Sequence, residues 1–268
     1  MKIKWKNLFI LMMMFIFIII FIISLINIIK WKIDSNIIVK QINDLKNTEI
    51  KETLDDDNTE LINPDENKEN PYWDYIKMNL MSVNFADLKT INSDVVGWIK
   101  VNGTNINYPF VQTNNNDYYL TRDFNKNYND AGWVFMDYRN NINDFDKNTI
   151  LYAHGRLDTT MFGSLKNIIK SNWYNNKNNH VIKLSTEKEN TLWQVFSVYH
   201  IKRTSDYIET NFYDDEVYQE FLNMLKNRST YNFNLNLNTQ DKIITLSTCY
   251  SKEEKVVMHA KLIKKAVR

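Results

Sequence analysis

The pattern of apolar and polar positions divides the chain into three stretches. Residues 8–29 form an apolar run broken only by Ser24 and Asn27. It is apolar all round rather than along one stripe, and at about 1.5 Å rise per residue its 22 residues cross a hydrocarbon layer of ~30 Å. A cleaved leader has a shorter apolar region and an exit of small residues. The first alanine of this chain is Ala86, so residues 1–32 are expected to be an uncleaved signal anchor. Residues 33–70 read as an acidic stalk or linker. The run Asp55, Asp56, Asp57, Glu60, Asp65, Glu66 and Glu69 is interleaved with no aromatic residue, the composition of a solvated spacer. Some helix is expected over 37–52, where the apolar spacing is helical. From Pro71 the chain turns aromatic and periodic, and a globular domain is expected over 71–268.

Within that domain the spacing predicts helices over 72–81 and 85–92, a short one over 161–169, and a longer one over 214–226. The last would present Val217, Phe221, Leu222 and Leu225 on one face, with Asp214, Asp215 and Glu216 near its amino end. Short strand-like runs are predicted over 96–101, 106–110, 132–136, 149–154, 181–184, 192–199, 242–246 and 256–263. Eight short strands with few helices predict a mostly β fold, a closed or nearly closed barrel.

Composition refines this picture. Lys+Arg number 33 against 32 Asp+Glu, a formal net charge of +1. The balance hides an asymmetry: Lys2, Lys4, Lys6, Lys30 and Lys32 give the first 32 residues +5 with no acid, leaving −4 on the rest. Three of those lysines precede the apolar run, which favours a cytoplasmic amino terminus and an extracytoplasmic remainder. No global basic surface speaks for nucleic acid. Only 5 Gly and 3 Pro exclude collagen-like and Gly/Pro-rich classes. One cysteine excludes an intramolecular disulfide and a CxxC pair, and neither it nor the dispersed histidines show metal-ligand spacing, so no cofactor is expected.

The candidate chemistry lies in that cysteine. Cys249 ends the run Thr245-Leu246-Ser247-Thr248-Cys249. Outside the membrane a single thiol is either buried and inert or a working group. A working thiol needs a proton partner, because the thiolate is the attacking species. The histidines are His154, His180, His200 and His259. His154 ends a second apolar run and is followed by Gly155, so two strand ends could bring Cys249 and His154 to one barrel rim. His180 sits in an Asn/Lys loop and reads as solvated. His200 ends another strand run, and His259 lies inside the last one, where a packed histidine is the commoner case.

The residues 245–249 match the TLxTC motif of sortases, the Gram-positive cysteine transpeptidases. The resemblance extends, in order, through Val96-Gly97-Trp98-Ile99, Asn107-Tyr108-Pro109, Tyr118-Tyr119-Leu120, Ala131-Gly132, the run 135–140, Tyr152-Ala153-His154-Gly155 and the run 161–165. Over about residues 71–268 the chain resembles class B sortases. The resemblance implies an eight-stranded sortase-type β-barrel with amino-terminal helices and a helix inserted before the cysteine strand. It implies Cys249 as nucleophile and His154 as general acid/base. The substrates would be secreted proteins with a carboxyl-terminal, NPxTN-like sorting signal, cut after its threonine through a thioacyl-enzyme. The acyl group would pass to an amine of a peptidoglycan peptide or of another surface protein. A substrate groove would be lined by Asn116, Leu120, Tyr152, Tyr207, Ile208 and Ser247.

One position departs from the family. Sortases carry an arginine at the start of the last strand, and here that position aligns with Lys255. Lysine keeps the charge but loses the planar two-pronged donor. Lys255 could act as a point charge, Arg203 or Arg156 could reach in, or the domain could be an impaired, sortase-like binding module. A surface cysteine peptidase that releases its product to water would use the same Cys/His pair.

Overall fold

The structure is a computed structural model, and it describes residues 5–45, 48, 50–53, 55, 58–64, 70–249 and 253–268, with Cys249 described in its backbone only. The apolar run forms the first part of one helix, α1 (Trp5–Leu45), whose large side chains over 8–29 are exposed apart from the half-buried Met13. It is long and apolar enough to cross a membrane.

The helix does not end where the apolar run ends. It continues to Leu45, and Ser35, Ile38, Ile42 and Leu45, at helical spacing, are buried against the rest of the protein. Where a solvated spacer is expected, the described residues also pair as strands. β1 (Ile50–Thr53) lies antiparallel to β3 (Leu80–Val83), and β2 (Thr59–Leu61) lies along the last strand of the chain. Residues 65–69 of the expected spacer lie outside the described residues, as do Asp56 and Asp57. The difference is physical: an acidic strand with little local β signal is held by its partner's backbone, which composition does not report.

Between β1 and the barrel come α2 (Tyr72–Tyr75), β3 and α3 (Ala86–Ile91). The helix expected over 72–81 therefore covers one turn only. The chain then extends because residues 80–83 pair with β1 and Val83 N–H donates to Ser185 Oγ at 3.2 Å.

The barrel strands are β4 (Val95–Val101), β5 (Asn107–Val111), β6 (Phe135–Met136), β7 (Asn148–Tyr152), β8 (Val181–Ser185), β9 (Glu189–Lys202), β10 (Ile243–Cys249) and β11 (Glu254–Val267). They run β10-β7-β6-β5-β4-β8-β9-β11, and β11 pairs back onto β10, so eight strands close a ring. β2 adds outside β11. Closure leaves the ring with no open edge. Trp98, Trp133, Trp193, Phe110 and Phe124 are fully buried in its core.

β9 and β11 have 14 residues each and outrun the predicted strands. β11 carries two lysines that the fold buries. Lys264 is fully buried, meets Asp55 at 2.6 Å and donates to the carbonyls of Ile76 and Met78. Lys261 meets Asp241 at 2.9 Å. A buried ammonium is tolerated because each has a carboxylate partner.

The inserted helix is α5 (Asp215–Asn227), after the short α4 (Ser171–Tyr174). Asp214 caps α5 by accepting from Val217 N–H at 2.9 Å. Tyr218, Phe221, Leu222 and Leu225 form its buried face against Phe196 and Val257. Val217, expected on that face, is exposed instead. The cap places residue 217 in the first turn and rotates the buried stripe by one position. His180, expected to be solvated, is buried, stacked on Tyr174 and bonded through Nε2–H to its carbonyl at 2.8 Å.

Candidate active site

Two parallel strands build the site. β10 and β7 pair in register Thr245↔Ile150, Leu246↔Leu151, Ser247↔Tyr152. One residue on, Thr248 Oγ1–H donates to the Ala153 carbonyl at 2.8 Å. β7 and β10 therefore end together, with Cys249 one residue past Thr248 and His154 one residue past Ala153. Parallel pairing is what puts both carboxyl ends on one rim. The side chain of Cys249 and residues 250–252 lie outside the described residues.

His154 is oriented by the chain opposite. Its Nε2 lies 2.8 Å from the Leu120 carbonyl oxygen. A carbonyl only accepts, so Nε2–H is the donor of this hydrogen bond. Leu120 ends a 3-10 turn over Tyr118–Leu120. That turn packs on Gly132, whose φ of +61° favours glycine. A Cβ at residue 132 would lie 2.5 Å from the Tyr119 oxygen, 2.8 Å from the Leu120 oxygen and 3.1 Å from His154 Cδ2. On the other side the His154 carbonyl accepts from Phe162 N–H at 3.1 Å, closing the loop 154–162.

Lys255 sits opposite Cys249 at the start of β11 and is flanked by Ile201 of β9. Arg203 follows β9, its N–H donating to the Glu253 carbonyl at 2.7 Å, so it stands on the same rim with an exposed side chain. Arg156 is turned away from the site. It is buried and committed to Asp158 at 2.8 Å, to Thr160 and to Ser35. Burial works against the Asp158 charge, but hydrogen bonds from Arg156, Thr160 and Ser35 outweigh it and hold the carboxyl well below the usual range.

The expected groove residues fall into three groups. Leu120 is exposed at the rim. Asn116 and Tyr152 meet at Asp137: Asn116 Nδ2–H donates to Asp137 Oδ2 at 3.0 Å and the Tyr152 hydroxyl donates at 2.9 Å, while Asn116 Oδ1 accepts from Tyr138 N–H. Tyr207 and Ser247 are buried, at 2% and 3% exposure, and bonded to each other at 2.9 Å, so they form the inside of the wall. Ile208 is half-buried beside them.

Asp137 and Arg139 are the residues that sequence reasoning passed over. The Arg139 guanidinium grips the buried Asp137 carboxylate with Nε at 2.9 Å and Nη2 at 2.8 Å, and Nη2 also donates to the Ile208 carbonyl at 2.9 Å. Burial alone would raise the Asp137 carboxyl; the hydrogen bonds from Arg139 and Tyr152 outweigh it and hold it below the usual range. Burial, then the Asp137 charge, push the Tyr152 phenol well up, so it stays a neutral donor. The signal was the run 135–140, which carried the family resemblance but no assigned role. Among the described residues no three histidine, cysteine or carboxylate groups stand together as a metal site.

His200 and His259 are accounted for elsewhere. His200 Nε2 pairs with Glu254 at 3.1 Å. His259 is fully buried between the Tyr199 hydroxyl and Thr245 Oγ1, each at 2.8 Å.

Comparison with known proteins identifies the family. The sequence profile of the sortase domain matches residues 99–263. Sortase B of Staphylococcus aureus is 40% identical over 184 residues, 67% of this chain and 75% of that protein. A crystal structure of sortase B complexed with triglycine aligns with TM-score 0.64 at 38% identity, covering 67% of this chain and 85% of that one. A Staphylococcus aureus sortase B–substrate complex aligns with TM-score 0.63 at 40% identity, covering 67% and 84%. The chain belongs to the sortase family, in its class B, and is a cysteine transpeptidase that cleaves sorting signals.

Proposed function

We propose that the enzyme cuts an NPxTN-like, carboxyl-terminal sorting signal of secreted proteins after its threonine and joins the threonine carbonyl to an amine of the cell-wall peptide or of another surface protein. The catalytic domain is 71–268, carried outside the cell by a single-pass anchor in α1. The observation that supports this reading is the parallel register of β7 and β10, which brings the ends of the strands leading to His154 and to Cys249 to one rim.

The steps balance as an acyl transfer. Cys249 Sγ, as thiolate, attacks the threonine carbonyl carbon. The peptide C–N bond breaks, and the departing amine takes its proton from His154. The resulting thioester is attacked by the acceptor amine, which gives a proton to His154 as the C–S bond breaks. The oxyanion that forms in each step lies against the cation at Lys255, with Arg203 on the same rim. Asn116, Leu120, Tyr152 and Ile208 line the peptide's path, and Tyr207 and Ser247 back it.

Support from relatives is limited to their own ligands: one sortase B has been crystallised with triglycine, an amine-bearing peptide, and another with substrate. The test is mass spectrometry of products from the detergent-solubilised full chain with an NPxTN-type peptide, with and without triglycine. An amide-linked product that disappears in Cys249→Ala is expected. Hydrolysis alone, unaltered by triglycine, would mark a peptidase instead.

A further inference from the structure

Three observations concern the way α1 meets the catalytic rim. The helix is unbroken from the apolar run to Leu45, so no flexible segment separates the span from the domain. From residue 29, the last of the run, to Ser35 is six residues, about 9 Å at 1.5 Å per residue.

Over that short rise the helix is fastened to the two loops that frame His154. Lys30 Nζ meets Asp130 at 2.7 Å, Asn129 donates to the Asp34 carbonyl at 3.3 Å, and Ser35 Oγ–H donates to Asp158 at 2.7 Å. The Arg156 guanidinium lies over the Trp31 ring at 5.8 Å. Higher up, Gln41 donates to Asp123 at 2.8 Å. One of these loops carries Leu120, which holds His154; the other begins at His154 itself.

The surface at this level groups aromatic rings with cations, and Asp130 pairs with Lys30 among them. Tyr128 is 60% exposed and Leu157 83%, beside the exposed Trp31. Lys30 lies 5.2 Å from the Tyr128 ring centre, and Arg122 lies 5.3 Å from Tyr128 and 5.7 Å from Tyr118. A lone exposed leucine needs no explanation. Tyr and Trp faced by Lys and Arg, grouped where an apolar helix leaves its span, are the composition of a membrane–water interface.

We propose that this rim rests in the headgroup layer of the lipid bilayer, so that the catalytic cleft opens beside the membrane surface and takes peptide chains held by that same membrane. The proposal rests on the anchored-transpeptidase reading and adds the partner surface. The span and the docked face act as one rigid body that sets the height of His154 above the lipid.

The test lifts that body without touching the site. Seven residues (Leu-Ala-Leu-Ala-Leu-Ala-Leu) are inserted between Ile29 and Lys30, about 10 Å and nearly two full turns, so the docked face keeps its direction. Full-length protein is reconstituted in phosphatidylglycerol/phosphatidylcholine vesicles. Turnover of a free signal peptide should stay within twofold, while turnover of the same signal borne on a transmembrane segment falls tenfold or more. Equal turnover of the tethered substrate would overturn the proposal. A spin label gives a readout independent of activity. In a Cys249→Ser background, a label at Leu157→Cys should relax with a lipid-borne nickel reagent and resist a water-borne one. A label at Lys188→Cys, in the β8–β9 turn at the far end of β9, should do the reverse. Equal water exposure at both sites would also overturn the proposal. Loss of free-peptide cleavage in the unmodified chain would instead count against the activity.

Discussion

Gly132→Ala tests whether the Leu120 turn positions His154. The native φ of +61° costs a non-glycine residue about 1–2 kcal/mol. The added Cβ would meet the Tyr119 and Leu120 oxygens at 2.5 and 2.8 Å, and both are backbone atoms that cannot swing aside. The 118–120 turn must therefore move, and it carries the acceptor that sits 2.8 Å from His154 Nε2. Strain and a lost hydrogen bond of about 1 kcal/mol give a destabilisation of about 2–3 kcal/mol. At about 2–4 °C per kcal/mol for a domain of this size, the melting temperature should fall by about 4–12 °C. A released imidazole costs more in rate than in binding, since a misplacement of about 1 Å can cost on the order of 100-fold. The expected result, from peptide-cleavage kinetics at 25 °C well below the melting point, is kcat down at least tenfold with KM within threefold. Gly132→Asn separates the causes, because Asn tolerates the backbone angle but still places a Cβ against both oxygens. If kcat in the alanine variant stays within twofold of the parent while the protein is destabilised, the turn does not position the histidine and the reasoning fails.

Other predictions address charge. Arg139→Ala leaves the buried Asp137 carboxylate with only Tyr152, Asn116 and backbone donors, and should cost about 2 kcal/mol of stability. With Arg139 present the folded Asp137 carboxyl is depressed, so its contribution is kept at neutral pH and lost only as pH falls through that low value. Without Arg139 burial dominates, and acid unfolding should begin at higher pH; urea titrations across pH 3–7 would show an unmoved onset if the pair did not matter. Burial pushes His259 down to about 3, against about 6.5 in an unfolded chain. The unfolded state therefore binds the extra proton between those values, and stability falls with acidification by up to about 1.4 kcal/mol per pH unit from this group. His259→Gln should flatten that slope by about one proton, and an unchanged slope would contradict the neutral assignment. For Lys255, alanine should lower kcat at least tenfold and arginine should retain it; equal turnover of the parent and the alanine variant would move the oxyanion role to Arg203.

Much of the fold was legible because barrel strands leave a local signature. Short apolar runs bounded by turns located all eight ring strands to within a few residues, and the capping acid located α5. The motif around Cys249 and the run ending at His154 named the two rim residues. Residues whose role depends on a distant partner were not legible. Asp137 and Arg139 sit two apart in a family-like run, yet only folding brings Tyr152, Asn116 and the Ile208 carbonyl to them. His180 reads as solvated because its neighbours are polar; Tyr75, which meets its Nδ1, and Phe233, which packs on its ring, come from other parts of the chain. Arg156, beside His154 in sequence, is drawn away by Asp158 and by Ser35, 121 residues earlier.

By itself the sequence determined an apolar span, a β-rich domain and a single cysteine in a sortase motif, because periodicity and local motif are properties of neighbouring residues. Tertiary structure alone decided that β7 and β10 run parallel, which nitrogen of the His154 ring faces Leu120, and that the helix leaving the apolar run is docked on the rim beside His154 rather than joined to it by a free acidic stalk. Those outcomes depend on strand register, on one carbonyl opposite one imidazole, and on carboxylates distant in sequence meeting Lys30, Ser35 and Gln41. Such contacts form only when long loops close, and no local window of residues contains both partners.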